Sequence, residues 1–359
     1  MNLKTTIATG LALAGLTAAP GVAQASDCFI LVHGHGPDGS LAEAYKYWTN
    51  RTFVPGRRVV ANAFVDQIRK TGDHFAVVAW DGRTASDSPY WHVDGAGTVA
   101  EQISDIKAGY GDGITPASEV CNGSDTGYYI VAHSQGAQIM TYISANSVPG
   151  SKNYNTVYTS KDVGELNDSN ALAADFDDAM VDVRSIFTLG GAVNGTEGMD
   201  HVCDGGFDAS LIQALGEGCV PPLQTHDIYN PSALTDRELG VTIYALGGYR
   251  GLPGSSSILD GEDDGVINLA SQMNCEGSPR ASMTRNLVDH TVEGGPFRCD
   301  NAHKRHDDHK NMASMYEDHD SERNARFSST WYAGNAEDVM SCSFGFNMAG
   351  AIANCISSL

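Results

Sequence analysis

Apolar residues along this chain gather in short continuous runs separated by polar, glycine-rich stretches. Cys28–Val32, His74–Trp80, Tyr128–Ala132, Val183–Leu189 and Val241–Leu246 are rich in β-branched and aromatic side chains. Runs of this length and composition fit strands covered on both faces, as in parallel sheets. Arg285–Val292 predicts a sixth. Between them the spacing turns helical. Val60, Phe64, Val65 and Ile68 recur at helix period within Arg57–Lys70, and Val99, Ile103 and Ile106 do so further on. A helix is expected directly after the third strand, from Gly136 to about Asn146, and another near Asn170–Met180. Strands alternating with helices predict an α/β protein whose mostly parallel sheet has helices on both faces.

Two long connections interrupt the rhythm. Pro149–Asp182 is polar; Asn194–Gly240 carries Cys203, Cys219 and Pro221-Pro222. The second, about residues 194–240, is read as a disulfide-pinned insertion, an inserted flap near the site. There is no internal repeat. Residues 1–25 read as a cleaved export signal: Lys4 supplies a positive start, Ile7–Ala19 an apolar stretch and Val22–Ala25 a small-residue cleavage pattern. The apolar stretch is too short for a spanning helix. The mature chain is then residues 26–359, one domain, secreted or periplasmic.

All eight cysteines lie in that mature part, without a CxxC pair. An even count in an exported chain predicts disulfides. Neighbour pairing would join Cys203 with Cys219, Cys275 with Cys299 and Cys342 with Cys355, leaving Cys28 for Cys121 and a disulfide-tied C-terminal segment at about 320–359. A formal charge of −22 disfavours nucleic acid, anionic membranes and polyanionic substrates. It is read as a solubility feature.

The sharpest chemical feature is Ala132-His133-Ser134-Gln135-Gly136, set between an apolar strand and a helix. A serine lifted above the edge of a sheet needs a tight turn with small neighbours, and the helix that follows supplies N–H groups for a developing oxyanion. A second feature, His33-Gly34-His35-Gly36, ends the first strand. Acyl transfer needs two converging N–H donors. One belongs to the residue after the nucleophile, Gln135; the other, from the loop after an early strand, is assigned to His35.

At these residues the chain resembles the small secreted Bacillus-type lipases of the α/β-hydrolase superfamily. Leu31–Gly36 and Ile130–Gly136 resemble their oxyanion strand and elbow, which also begins with alanine. Ser185–Ala192 is similar to their strand after the elbow, and Ile243-Tyr244 with Asp264–Ser271 to their strand and acid loop. The resemblance runs in islands over roughly residues 28–310. It implies an α/β-hydrolase fold and a lipase or esterase activity, with Ser134 as nucleophile, Asp264 as acid and a later histidine as base. The order serine, acid, histidine is that of the fold.

Asp264 also stands out by itself, in a loop soon after the fifth strand; Asp260, Asp263 or a calcium-binding acidic loop are the other readings. For the base, His309 precedes Lys-Asn-Met-Ala-Ser-Met-Tyr, which reads as the start of a closing helix. His290 is the next choice, with His303, His306 and His319 behind it. His303, His306 and His309 repeat every third residue beside Asp300, Asp307 and Asp308, yet they are read as polar loop rather than metal site. His133 is read as a packing residue below the serine. Tyr90 and Trp91, after the second strand, are candidate pocket residues. The chemistry needs no cofactor. The expected partner is a small-molecule, lipid or polyester ester, with transient contact at a lipid interface and no obligate protein partner.

Overall fold

The structure is a computed structural model. It describes residues 26–35, 39–49, 53–54, 59–60, 62–63, 65–81, 93–125, 127–147, 169–206, 219–225, 241, 243–248, 259, 264, 266–272, 283–285, 297–299, 309–315, 324–325 and 331–333, those beyond 272 as backbone. Seven strands form one sheet: β1 (Cys28–Val32), β2 (His74–Val78), β3 (Tyr128–His133), β4 (Val183–Leu189), β5 (Ile243–Gly248), β6 (His309–Met315) and β7 (Trp331–Ala333). Their order is β7-β6-β5-β4-β3-β1-β2. All neighbours run parallel except β6 and β7. The chain leaves β1 toward one edge and leaves β3 toward the other. In open parallel sheets that reversal opens a crevice at the carboxyl ends of the two strands.

The strand residues divide by alternation. Ile30, Val32, Val78 and Ile130 pack on one face with Val99, Ile103, Ile139, Ile143 and Phe176. Phe29, Leu31, Phe75, Val77, Val131 and Phe187 pack on the other with Trp48, Val65 and Ile68. Each large apolar side chain fully buried in this way contributes roughly 1.5–3 kcal/mol.

Helices α1 (Leu41–Thr49) and α2 (Val65–Thr71) cover the second face. Helix α1 lies where no helix was expected. Leu41, Ala44, Tyr45 and Trp48 nonetheless follow its period, and Ser40 caps it by accepting from Glu43 N–H at 3.3 Å. Helix α2 is shorter than the Arg57–Lys70 pattern. Val59-Val60 is extended and pairs with Phe53-Val54, as suits β-branched residues.

Helices α3 (Thr98–Lys107), α4 (Gln135–Asn146) and α5 (Ser169–Met180) form the first face's cover close to where the pattern placed them. Lys107 Nζ donates to the carbonyls of Asp178 (2.7 Å), Ala179 (3.2 Å) and Val181 at the end of α5. A cation there satisfies carbonyls the helix leaves open and complements its dipole.

Of the sixth strand expected at Arg285–Val292, only Arg285 lies among the described residues. Met283–Arg285 pairs with Phe297–Cys299 in a separate ribbon, and His309–Met315 takes the place beside β5. Residues 286–296 lie outside the described residues. The C-terminal segment is more than an appendage: Trp331–Ala333 adds an antiparallel edge strand, and Asn324-Ala325 pairs with Asn62-Ala63.

Disulfides join Cys28 to Cys121 and Cys203 to Cys219, as neighbour pairing suggested. The first closes a loop of sequence separation 93, worth about 4–5 kcal/mol in the chain-entropy picture. Cys275, Cys342 and Cys355 of the other two expected pairs, and residues 1–25, lie outside the described residues. No helix among the described residues is long and apolar enough to cross a membrane.

Candidate active site

Ser134 stands on the turn from β3 to α4 at φ 55°, ψ −127°. Among the described residues only Ser134 and Asp182 combine a side chain with positive φ. Such a conformation costs free energy and persists where the surroundings impose it. Here Ser134 N–H donates to Leu189 O at 3.1 Å. Its carbonyl accepts from Ala137 and Ala192 N–H, each at 3.0 Å. The glycines are required by close approach. A Cβ on Gly136 would lie 2.4 Å from His33 O and 2.7 Å from Val32 O. One on Gly34 would lie 2.6 Å from Ser134 Cβ. The loop after β1 therefore sits directly against the elbow.

The sheet register brings that loop to the right level, because Val32 is opposite Ala132. Gln135 opens α4, so its N–H belongs to the helix's unsatisfied first turn. His35 lies beside it: His35 Nδ1 is 3.1 Å from Gln135 Oε1. Both residues assigned to the oxyanion role thus meet at the elbow.

Behind them is a buried aromatic layer. His33 stacks on Trp80 with ring centroids 5.5 Å apart. Its Nε2 accepts from Trp80 N–H at 3.2 Å, so Nδ1 carries the hydrogen that faces Gly34 O at 2.7 Å. Trp80 Nε1–H donates to His33 O at 3.0 Å. Burial lowers the His33 pKa to about 4, with nearby His35 lowering it further and the Gly34 carbonyl and Asp81 opposing. His33 is a neutral scaffold residue. His133 is also buried, with Nδ1 2.5 Å from Tyr47 Oη. It packs below the serine as its place in the elbow implies. Tyr47 was not anticipated; the Leu41–Trp48 helical spacing was the signal that would have brought it to the elbow.

Asp264 is fully buried. Its Oδ1 accepts from the N–H groups of Val266 (2.9 Å) and Ile267 (2.7 Å). The acid loop is docked on the start of the insertion. Thr196 Oγ donates to Val266 O at 2.6 Å, Ser271 Oγ donates to Gly195 O at 2.6 Å, and Asn194 N–H donates to Ser271 Oγ at 3.0 Å. Ala192, Met199, Val202, Val220, Leu223, Val266 and Ile267 form one apolar cluster. Ala192 also bonds Ser134 O, so elbow, insertion and acid loop are packed as a unit. The described part of the insertion is a docked support, with helix α6 (Glu197–Cys203) capped by Thr196.

The closing helix expected after His309 is not formed; His309 opens strand β6. His309 is opposite Ile243, which is opposite Ile186, which is opposite Ile130. It is therefore level with a residue four positions before Ser134 and lies three strands away. Strand geometry puts the two about 20 Å apart. The far end of β6 is the one at the active edge: Met315 is opposite Gly248, two residues beyond Leu246, which is level with His133. Lys310–Met315 has helix-forming residues, but the open edge of β5 demands hydrogen-bond partners and overrides them. His290, His303, His306, His319, Tyr90 and Trp91 lie outside the described residues. Among the described residues a possible metal-ligand group is Cys28, Cys121 and Asp125, but its two sulfurs are joined in a disulfide.

A parallel sheet whose strand order reverses between β1 and β3, bearing a serine at positive φ on the turn from β3 into its helix, is the α/β-hydrolase fold. Solved structures similar to this chain include bacterial lipases and a carboxyl esterase. A lipase of Staphylococcus hyicus is 14% identical, with 83% of this chain and 89% of that one covered at a TM-score of 0.45. A mature Bacillus licheniformis lipase is 14% identical, with 69% and 79% covered at 0.43. A metagenomic carboxyl esterase is 17% identical, with 66% and 54% covered at 0.33. No protein-family model and no curated protein sequence matches the chain.

Proposed function

We propose that the protein is a secreted serine hydrolase that cleaves carboxylic esters through an acyl-enzyme on Ser134. The observation that carries this reading is the strained Ser134 backbone at the β3–α4 turn, with His35 and Gln135 packed against it. A strained, over-determined serine at a sheet's crevice is what nucleophilic catalysis needs and what stability alone disfavours.

In this mechanism Ser134 Oγ attacks the ester carbonyl, and its proton passes to a histidine. The N–H groups of His35 and Gln135 hold the oxyanion. The histidine then protonates the leaving alcohol, and water repeats the sequence on the acyl-enzyme. Asp264 orients the imidazole. The base is sought in the sequence that follows β6, because the carboxyl end of that strand lies at the crevice edge. His319, four residues beyond Met315 in the sequence, is assigned this role ahead of His309, which opens β6. Tyr90 and Trp91, which follow β2 in the sequence, are assigned to the acyl pocket. The substrate is a lipid-like or polyester ester. Two disulfides fit an oxidising compartment, and residues 1–25 are assigned as the export signal.

The test is hydrolysis of p-nitrophenyl esters from acetate to palmitate by residues 26–359, with and without Ser134→Ala. The substitution should lower kcat by about 10⁴-fold or more. Activity that survives it would sink the assignment. Activity on no ester, with Ser134 still labelled by a fluorophosphonate, would redirect the reading to amide or thioester substrates.

A further inference from the structure

The two residues assigned as oxyanion donors are joined by their side chains as well as by proximity. His35 Nδ1 and Gln135 Oε1 are 3.1 Å apart across a sequence separation of 100. His35 is 7% exposed and Gln135 is fully buried. An amide oxygen only accepts, so the imidazole must carry its hydrogen on Nδ1. Gln135 Nε2 has no hydrogen-bond partner among the described residues. The His35 bond is thus the described polar tie on the Gln135 side chain.

Resting on the function proposed above, we propose that the His35 imidazole is a positioning residue that clamps the two halves of the oxyanion hole. The need for a clamp is written in the chain. His35 sits between Gly34 and Gly36, and glycine is the residue with the greatest backbone freedom. Gly34 cannot be replaced by a stiffer residue, because any Cβ there strikes Ser134 and Tyr47. A bond that ties this loop to α4 therefore bears directly on where the His35 N–H points. Gln135 is held in the first turn of α4. A bond from the imidazole to Gln135 transfers that rigidity to the loop after β1. Oxyanion donors act through preorganisation, and a displacement of about 1 Å can cost about 100-fold in rate.

The experiment is a double-mutant cycle on kcat and KM for one p-nitrophenyl ester, with Ser134→Ala run alongside. His35→Ala should lower kcat by about 10- to 100-fold while KM changes less than about threefold. His35→Asn places an amide N–H near the Nδ1 position and should recover most of the loss. Gln135→Met should reproduce the His35→Ala defect, and the double variant should be no worse than the poorer single. Additive losses, a defect carried by KM alone, failed rescue by asparagine, or an unchanged kcat in His35→Ala each overturn the clamp. Activity that persists in Ser134→Ala overturns the clamp together with the proposed function. Ser134-dependent activity with a silent His35→Ala overturns the clamp alone.

Discussion

At the amino edge of the sheet Ser26 Oγ lies 3.1 Å from His74 Nδ1 and donates to Asp125 Oδ1 at 2.8 Å. The same Asp125 oxygen is 2.7 Å from His74 Nδ1. At the carboxyl edge Ser134 stands on the elbow, with Asp264 buried in a nearby supporting loop. The residue types match, and the geometry does not. A relay needs the acid on one ring nitrogen and the serine on the other. At the amino edge both oxygens meet Nδ1, which cannot hold a proton toward Asp125 and accept one from Ser26 together. Ser26 also lacks the positive φ found at Ser134, and it does not open a helix. The amino-edge cluster is a fastening: Asp125 also accepts from Asn122 N–H at 2.7 Å, and Asp73 accepts from Asp27 N–H at 3.1 Å. Serine, histidine and aspartate make a site only when a strained turn and converging N–H groups accompany them.

The largest effects should come from breaking the carboxyl edge. His319→Ala is expected to lower kcat by about 10⁴-fold, and Asp264→Asn by about 10³- to 10⁴-fold, with the fold retained by circular dichroism. His309→Ala should leave kcat within about twofold. If His309→Ala silenced the enzyme and His319→Ala did not, the strand register of β6 would be wrong as a guide to the base.

That pair of variants also marks what could be read before the fold was known. The proposed nucleophile is a local feature: an apolar strand, two small residues and a helix start lie within a dozen positions around Ser134. Cys203 and Cys219 are near neighbours, and their pairing was legible for the same reason. The base is a tertiary feature. Which histidine reaches the crevice depends on which segment takes the place beside β5, and neither Lys310–Met315 nor Arg285–Val292 states that in its own composition. Tyr47 was hidden differently. Its helix carries a Ser40–Glu43 cap and an apolar stripe, yet the elbow that Tyr47 supports is 86 residues away.

A smaller effect belongs to the layer under the elbow. His33 titrates near pH 6.5 when unfolded and near 4 when folded, chiefly because it is buried. The unfolded chain therefore binds more protons between those values, and stability is complete above pH 6.5 and falls as pH drops toward 4. The loss from this residue should reach about 3 kcal/mol, at 1.36 kcal/mol per unit. Urea unfolding at pH 4.5 and 6.5 measures it. His33→Gln, which can still accept from Trp80 N–H, should show a flatter dependence; an unchanged slope would remove His33 as the cause.

Close packing at the elbow should give the next effect. Gly136→Ala places its methyl against the carbonyls of His33 and Val32, which are backbone and cannot rotate away. Destabilisation of about 1–3 kcal/mol is expected, with a fall in kcat as the loop after β1 is pushed from the serine. A normal melting temperature together with normal kcat would mean the approach is looser than the geometry requires.

The smallest effect is the one that separates the two edges most cleanly. Ser26→Ala removes one hydrogen bond to Asp125, whose other partners, Asn122 N–H and His74, remain. The cost should be about 1 kcal/mol of stability, seen as a lower urea midpoint. Because the fastening sits at the far end of β1 and β2 from the crevice, kcat and KM should not change. A fall in kcat without a fall in stability would mean that the amino edge is coupled to the elbow along β1. A fall in both would mean that the fastening sets the register on which the carboxyl edge depends.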